Sequence, residues 1–202
     1  DVKGLNVIGE ARSGEEAVAI AKEKCPDVVL MDVKMPGIGG LEATRKMLRN
    51  NADIKVIALS VYGEEPFPSK FLQAGAVGYL TKGSSIDEMV TAIRTVYAGK
   101  RYIGPEIAQQ LALKNVIDSE GSPLDLLSER ELQVMIMITE GQKVQYISDK
   151  LCLSPKTVNS YRYRLFDKLG VASDVELTHL AIRHGILDPE KLDVAQEEME
   201  LP

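Results

Sequence analysis

Three short apolar runs, each closed or followed by a polar residue, constrain this chain more than any other feature. DVVLMD (residues 27–32), KVIALS (55–60) and AVGYL (76–80) have the length and unbroken apolar character of strands covered on both faces. Helical patterns separate them. Spacing predicts helices from Ser13 to about Lys24, over 41–49, more weakly over 68–74, and from Ser85 to Ala98. LNVIGEA (5–11) reads as one more strand. Ser13 with Glu16 and Ser85 with Glu88 have the spacing of capping boxes, and the Pro36-Gly37 and Gly39-Gly40 pairs read as a loop. Strands alternating with helices predict an α/β unit, a doubly wound parallel sheet with helices on both faces.

The pattern changes after Gly99. Residues 105–113 read as a connecting helix, and 115–123, with Gly121-Ser122-Pro123, as a linker. Between Leu124 and Leu187 no strand-like run appears, only helical segments broken at Gly141, Leu153-Ser154-Pro155 and Gly170. The expected organisation is therefore an α/β domain over 1–100, a connecting helix and linker over 101–123, an all-α domain over 124–188, and an acidic, disordered tail over 189–202.

The net charge of −6 does not mark a nucleic-acid binder, but the charge is unevenly placed. Residues 1–118 hold 15 basic and 15 acidic side chains, whereas 154–170 hold Lys156, Arg162, Arg164 and Lys168 against Asp167 alone. That basic island is the place to look for a polyanion. No apolar run approaches the roughly 20 residues of a membrane span, so a cytoplasmic protein without membrane contact is expected. Cys25 and Cys152 lack metal-ligand spacing and read as small buried thiols. His179 and His184 read as surface or packing residues.

In open α/β sheets the chemistry lies at the carboxyl ends of the strands. Asp32, Ser60 and Lys82 stand at three successive strand ends. A carboxylate there can attack a phosphoryl group and form an acyl phosphate, while a fixed cation and a hydroxyl meet the oxygens of the transferred group. Any one of them alone would read as a polar strand terminus; three together favour function. In the second domain, Ser128 with Glu131 caps a helix over 127–141, and a second helix follows over 144–151. Ser154 and Pro155 then open a third, ending near Leu169. Val158, Tyr161, Leu165 and Leu169 share its apolar side. Lys156, Asn159, Ser160 and Tyr163, flanked by Arg162, Arg164 and Lys168, make a side suited to a DNA major groove.

With these residues in view, LMDVKMPGIGGLEATRKM, the end of KVIALS and GYLTK resemble the receiver domains of two-component response regulators, which have a flavodoxin-like fold. The resemblance implies Asp32 as phospho-acceptor, Ser60, Tyr79 and Lys82 as switch residues, and Mg²⁺ held by Asp32, the Lys34 backbone carbonyl and further acids. Those acids normally follow a first strand that has no counterpart here. The receiver is therefore expected to lack its first strand and helix and to bind Mg²⁺ poorly. Gly83 stands where proline is common. Val61, where a smaller residue is usual, is expected to narrow access to Asp32. SERE and SPKTVNSYRYRLFDKLG resemble the LuxR/NarL-type (FixJ) helix-turn-helix. That implies base contacts from Asn159, Ser160 and Tyr163 and phosphate contacts from Lys156, Thr157, Arg164 and Lys168, with Arg162 beside them. It also implies dimerisation through a fourth helix over 174–186, at Val175, Leu177, Thr178 and Ala181.

Within that family the GacA/UvrY-type branch is the most similar, through MPGIGGLEATRK, LSPKTVNSYRYR and DVELTHLAIRHG. The branch implies a hybrid sensor histidine kinase as phosphodonor and a homodimer on palindromic promoters of small regulatory RNAs. The expected protein is a regulator and not an enzyme. An aspartate-nucleophile phosphohydrolase would carry a second aspartate two residues after Asp32, where Lys34 stands. A DNA-binding regulator with a degenerate, phosphate-independent receiver is the other alternative.

Overall fold

The computed structural model describes residues 2–61, 66–117 and 122–187, in two compact units, 1–122 and 123–202. The first unit is a parallel sheet of β1 (Val28–Asp32), β2 (Lys55–Ser60), β3 (Gly78–Thr81) and β4 (Tyr102–Ile103), in that spatial order. Helices α1 (Gly14–Lys24), α2 (Gly39–Asn50), α3 (Phe67–Gln73) and α4 (Ile86–Tyr97) precede or connect the strands, and α5 (Pro105–Ile117) follows. Because side chains alternate along a strand, neighbouring residues face opposite layers. Ile57 and Leu80 pack with Ala92 and Val96 of α4, while Tyr79, next to Leu80, meets Phe71 of α3 edge-on at 6.3 Å. Helices therefore cover both faces, as the doubly wound expectation requires.

Three departures from the sequence expectation have physical causes. Residues 5–11 are not a strand: Val7 and Ile8 are exposed, and Lys24 Nζ donates to the Ile8 carbonyl at 2.7 Å. An alternating pattern becomes a strand only where a neighbouring ladder accepts it, and the segment lies against α1 instead, Gly9 close beside Ile20. Second, Tyr102 and Ile103, assigned to the connector, join the sheet beside β3, with Gly104 N–H donating to the Tyr79 carbonyl at 2.9 Å. Two residues are too few to show a strand periodicity. Third, Cys25 and Cys152 are exposed free thiols. Each closes a helix in the left-handed conformation (φ 46° and 53°), a turn position that points outward.

Gly39-Gly40 opens α2 rather than a loop. Of the three expected capping boxes only Ser128–Glu131 closes in both directions. Ser13 and Ser85 accept from the Glu16 and Glu88 amides. The Glu16 carboxylate accepts instead from the Arg12 amide, and Glu88 from the Tyr102 hydroxyl.

The second unit contains a 3₁₀ turn (Pro123–Leu126), α6 (Glu129–Thr139), α7 (Val144–Leu151), α8 (Pro155–Leu169) and α9 (Asp174–Arg183). Its core is Leu124, Leu127, Leu132, Met135, Ile147, Leu151, Val158, Leu165, Leu177 and Ala181, all at or below 1% exposure. The expected linker continues α5 to Ile117 and ends in the 3₁₀ turn at Pro123; its centre, 118–121, lies outside the described residues, as does the acidic tail. Among the described residues no helix is long and apolar enough to cross a membrane.

Candidate acceptor site and nucleic-acid interface

The first site forms where β1, β2 and β3 end together. Asp32 pairs in register with Leu59, and Ser60 with Thr81. Residues 50 positions apart thereby meet: Lys82 Nζ lies 2.6 Å from Asp32 Oδ2. The other carboxylate oxygen accepts from the Lys34 amide at 3.0 Å, which fixes the carboxyl plane. Asp32 and Lys82 are partly open to solvent, whereas Ser60 is buried at the next strand end. The Lys82 amide donates to the Ser60 carbonyl at 2.6 Å, tying that strand end to the lysine. Tyr79, one strand residue from Leu80, is fully buried against Phe71. Val61 is exposed at the rim of this end of the sheet.

Two further residues shape the site. A Cβ on Gly40 would sit 2.0 Å from the Asp32 carbonyl oxygen, so only glycine lets the start of α2 come this close. Glu15 reaches from α1 to accept from the Ile38 amide at 3.1 Å, holding the loop that follows Asp32. Glycine at 40 is visible in the sequence but its reason is not; the reach of Glu15 across 23 residues leaves no local signal. Chemically, the site presents a carboxylate oxygen beside a fixed ammonium, the arrangement a phosphoryl acceptor needs. A divalent cation is less well served. Mg²⁺ takes about six oxygens, and among the described residues no group of three or more His, Cys, Asp or Glu could hold a metal ion. Asp32 and the Lys34 carbonyl do not by themselves complete such a site.

The second site is the outward side of α8. Ser154 accepts from the Thr157 amide at 3.1 Å and shares a hydrogen bond with the Thr157 hydroxyl. The turn before it is held by the Ser148 hydroxyl, which donates to the Leu153 carbonyl at 2.6 Å. Val158 and Leu165 are buried, which turns Lys156, Ser160, Tyr163 and Arg164 to solvent, with Asn159 half-buried at the edge. Arg164 lies over the Tyr161 ring, 5.7 Å from its centroid, and Tyr163 meets Phe166 edge-on.

Two basic residues expected at the DNA face are engaged elsewhere. Arg162 binds both oxygens of Asp174, the first residue of α9, and lies over the Phe166 ring. Lys168 Nζ donates to Glu131 Oε2 at 2.7 Å and to the Leu126 carbonyl at 3.1 Å. Burial pushes the Glu131 carboxyl up. The bonds from Lys168 and from the Ser128 amide and hydroxyl, with the lysine's charge, outweigh it and hold the carboxyl below its usual range. The expected dimerisation set needs a similar correction. Leu177 and Ala181 are fully buried in their own domain and offer nothing to a partner. Val175 is exposed, and the Thr178 hydroxyl donates to the Asp174 carbonyl at 2.8 Å. His179 is exposed and His184 half-buried, as read from the sequence.

Comparison with known proteins matches the segments that carry these two candidate sites to two families. The response regulator receiver domain matches residues 1–94, and the bacterial regulatory proteins of the luxR family match 125–181. The chain is 65% identical to Response regulator GacA of Pseudomonas protegens over 188 residues, 93% of this chain and 88% of that protein. It is 60% identical to Response regulator UvrY of Escherichia coli K12 over 193 residues, 95% of this chain and 88% of that one. Among solved structures, RcsB of Salmonella enterica serovar Typhimurium, bound to the promoter rprA with the phosphomimetic BeF3−, shares the fold. Its TM-score is 0.68 at 23% identity, over 89% of this chain and 86% of that one. A carboxylate paired with a lysine at a strand end, a capped helix-turn-helix and this degree of identity agree: the chain belongs to the two-component response regulators that join a receiver to a LuxR-type DNA-binding domain.

Proposed function

We propose that this regulator is switched by a phosphoryl group on Asp32 and that its LuxR-type domain then reads promoter DNA. The observation that carries the proposal is the meeting of Asp32 and Lys82 at 2.6 Å beside buried Ser60. A hybrid sensor histidine kinase is the donor: an Asp32 oxygen attacks phosphorus, the bond to the donor's histidine nitrogen breaks, and an acyl phosphate forms. Lys82 then neutralises a phosphoryl oxygen, and Ser60 donates to another. Tyr79 moves with Ser60 in the phosphorylated form, which favours pairing of two chains on a palindromic site. Receivers in general use Mg²⁺ for this step. Asp32 and the Lys34 carbonyl are the ligands this chain would supply. Lys156, Thr157 and Arg164 meet phosphates, and Asn159, Ser160 and Tyr163 meet base edges. Of the expected dimerisation set, Val175 and half-buried Thr178 remain open to a second chain in a homodimer. The GacA/UvrY-type resemblance points to promoters of small regulatory RNAs that sequester a CsrA-type translational repressor.

A second reading is a DNA-binding regulator that acts without phosphate on its receiver. A reporter driven by such a promoter, in cells expressing the wild type or Asp32→Asn, separates the two. Loss of signal-dependent transcription in the variant is the expected result; undiminished transcription overturns the switch and leaves the second reading.

A further inference from the structure

We infer that Lys168 and Arg162 are positioning residues that orient the recognition helix, and that neither contacts DNA. Both stand in the basic island that first suggested a polyanion site, so the inference narrows the interface to the first two-thirds of α8. It rests on the DNA-binding reading above.

The geometry of the helix supplies the first argument. At 3.6 residues per turn, Arg162 lies roughly 40° and Lys168 roughly 80° from the direction of Val158 and Leu165, which face the core. Lys156, Ser160 and Tyr163 lie within roughly 40° of the opposite direction. The residue facing straight out near the C-terminal end of α8 is exposed Asp167, whose charge repels phosphates there. The end of the helix that carries Lys168 is thus turned away from a backbone that its N-terminal half approaches.

The bonds supply the second argument. Glu131 is 3% exposed and completes the capping box of α6, and the ammonium of Lys168 is paired with its carboxylate at 2.7 Å. Taking the ammonium to a phosphate would leave that buried carboxylate with the Ser128 donors but no counter-charge, a larger loss than one solvent-screened phosphate contact returns. Lys168 also holds the Leu126 carbonyl, in the 3₁₀ turn where the chain enters the domain. One side chain therefore joins the C-terminal part of α8 to the start of α6 and to the entering chain. Arg162 does the same towards α9 through its two bonds to Asp174. Between them the two residues set the angle at which α8 leaves the domain surface.

The salt dependence of binding tests the inference. A duplex selected by the full wild-type chain from a random-sequence library serves as specific probe, and a scrambled duplex as non-specific probe. Each phosphate contact contributes about 0.9 to the slope of log K against log salt. Lys156→Gln and Arg164→Gln are expected to lower that slope by about this amount. Lys168→Gln and Arg162→Gln are expected to leave it unchanged while the specific-to-non-specific affinity ratio falls about tenfold or more, and Lys168→Arg restores most of the ratio. Glu131→Gln, which keeps an acceptor for Ser128 and Lys168 and is too buried to touch DNA, is expected to lower the ratio in the same way. It decides the question if Lys168→Gln fails to fold. A slope lowered by about 0.9 in Lys168→Gln, with both probes weakened alike and Glu131→Gln neutral, overturns the inference and makes Lys168 a phosphate contact. A wild-type chain that selects no sequence at all would sink the DNA-binding reading, and the inference with it.

Discussion

The acceptor site and the recognition helix are built in opposite ways. Asp32, Ser60 and Lys82 come from three strands and span 50 residues, and only the parallel register of the sheet brings them together. The recognition helix is one continuous stretch, Pro155–Leu169, whose cap, first turn and end are all local. Yet the assembled site brings together the residues its sequence grouped, while the local helix does not present all the residues its sequence offered. A strand end has one exposed direction, so a polar residue there has little choice of role. A helix has a full circle of directions, and its flanks can serve the fold or the ligand. Local legibility of an element is therefore a poor guide to legibility of its side-chain roles.

The contrast can be broken or sharpened by measurement, beginning with the largest effect. Leu165→Ala removes a fully buried side chain of α8 and is expected to cost the second unit about 3 kcal/mol. Chemical denaturation followed by probes in each unit should show only that unit shifting. An equal shift in both would mean that the units do not fold separately. Next, Lys168→Met strands the Glu131 carboxylate. Breaking a fully buried pair costs about 3–5 kcal/mol, and because Lys168 is 38% exposed the expected loss is about 2 kcal/mol, against well under 1 kcal/mol for the outward Lys156→Met. Equal losses would remove the distinction between flank and face.

Ser128→Ala deletes the other half of the capping box and is expected to cost about 1 kcal/mol by urea denaturation. The pH dependence of the same unit reports Glu131 directly. Its folded carboxyl titrates below the unfolded value of about 4.3. The stability it contributes is thus fully present above that value and is lost as pH falls through the lower folded one. Melting temperatures from pH 7 to 3 should show the wild type's advantage over Glu131→Gln shrinking in that acid window; a constant difference would sink the assignment. The smallest expected effect belongs to Asp32→Asn. The Asp32–Lys82 pair is partly exposed, so its loss is expected to change stability by about 0.5 kcal/mol while abolishing switching in the reporter. A large stability loss would make Asp32 a structural residue.

Much of the architecture was readable before any coordinates. β2 has the bounds read from KVIALS, α7 spans the 144–151 that its helical pattern gave, and α8 begins and ends where its cap and periodicity placed it. These elements carry strong local signals: unbroken apolar runs, Ser-Pro openings and a closing Gly170. Where signals were weak or shared, the reading failed. Residues 5–11 have a strand pattern without a ladder to join, and Tyr102–Ile103 have a ladder without a pattern. At the sites, Asp32 and Lys82 were legible as strand-end residues of matching chemistry. The hold of Glu15 on Ile38 and of Glu131 on Lys168 was not, because each partner lies far along the chain, and Gly40 showed no reason for its glycine until the backbone of Asp32 was placed beside it. Leu177 and Ala181 were assigned to a dimer surface by the family resemblance, and a resemblance along one helix does not show which of its residues the domain's own core covers.

The sequence by itself determined the three main strands and the helices between them, the division into an α/β and an all-α unit, the candidate acceptor carboxylate and the candidate recognition helix. All of these rest on periodicity, capping and residue chemistry, which are properties of neighbours along the chain. Only the tertiary structure decided that the Lys34 amide holds the second oxygen of Asp32, that Tyr79 is buried against Phe71, and that Arg162 and Lys168 turn inward to Asp174 and Glu131. The physical reason is that a charge goes where its loss of water is best compensated, and the compensating partner is chosen by packing between segments that are distant in sequence.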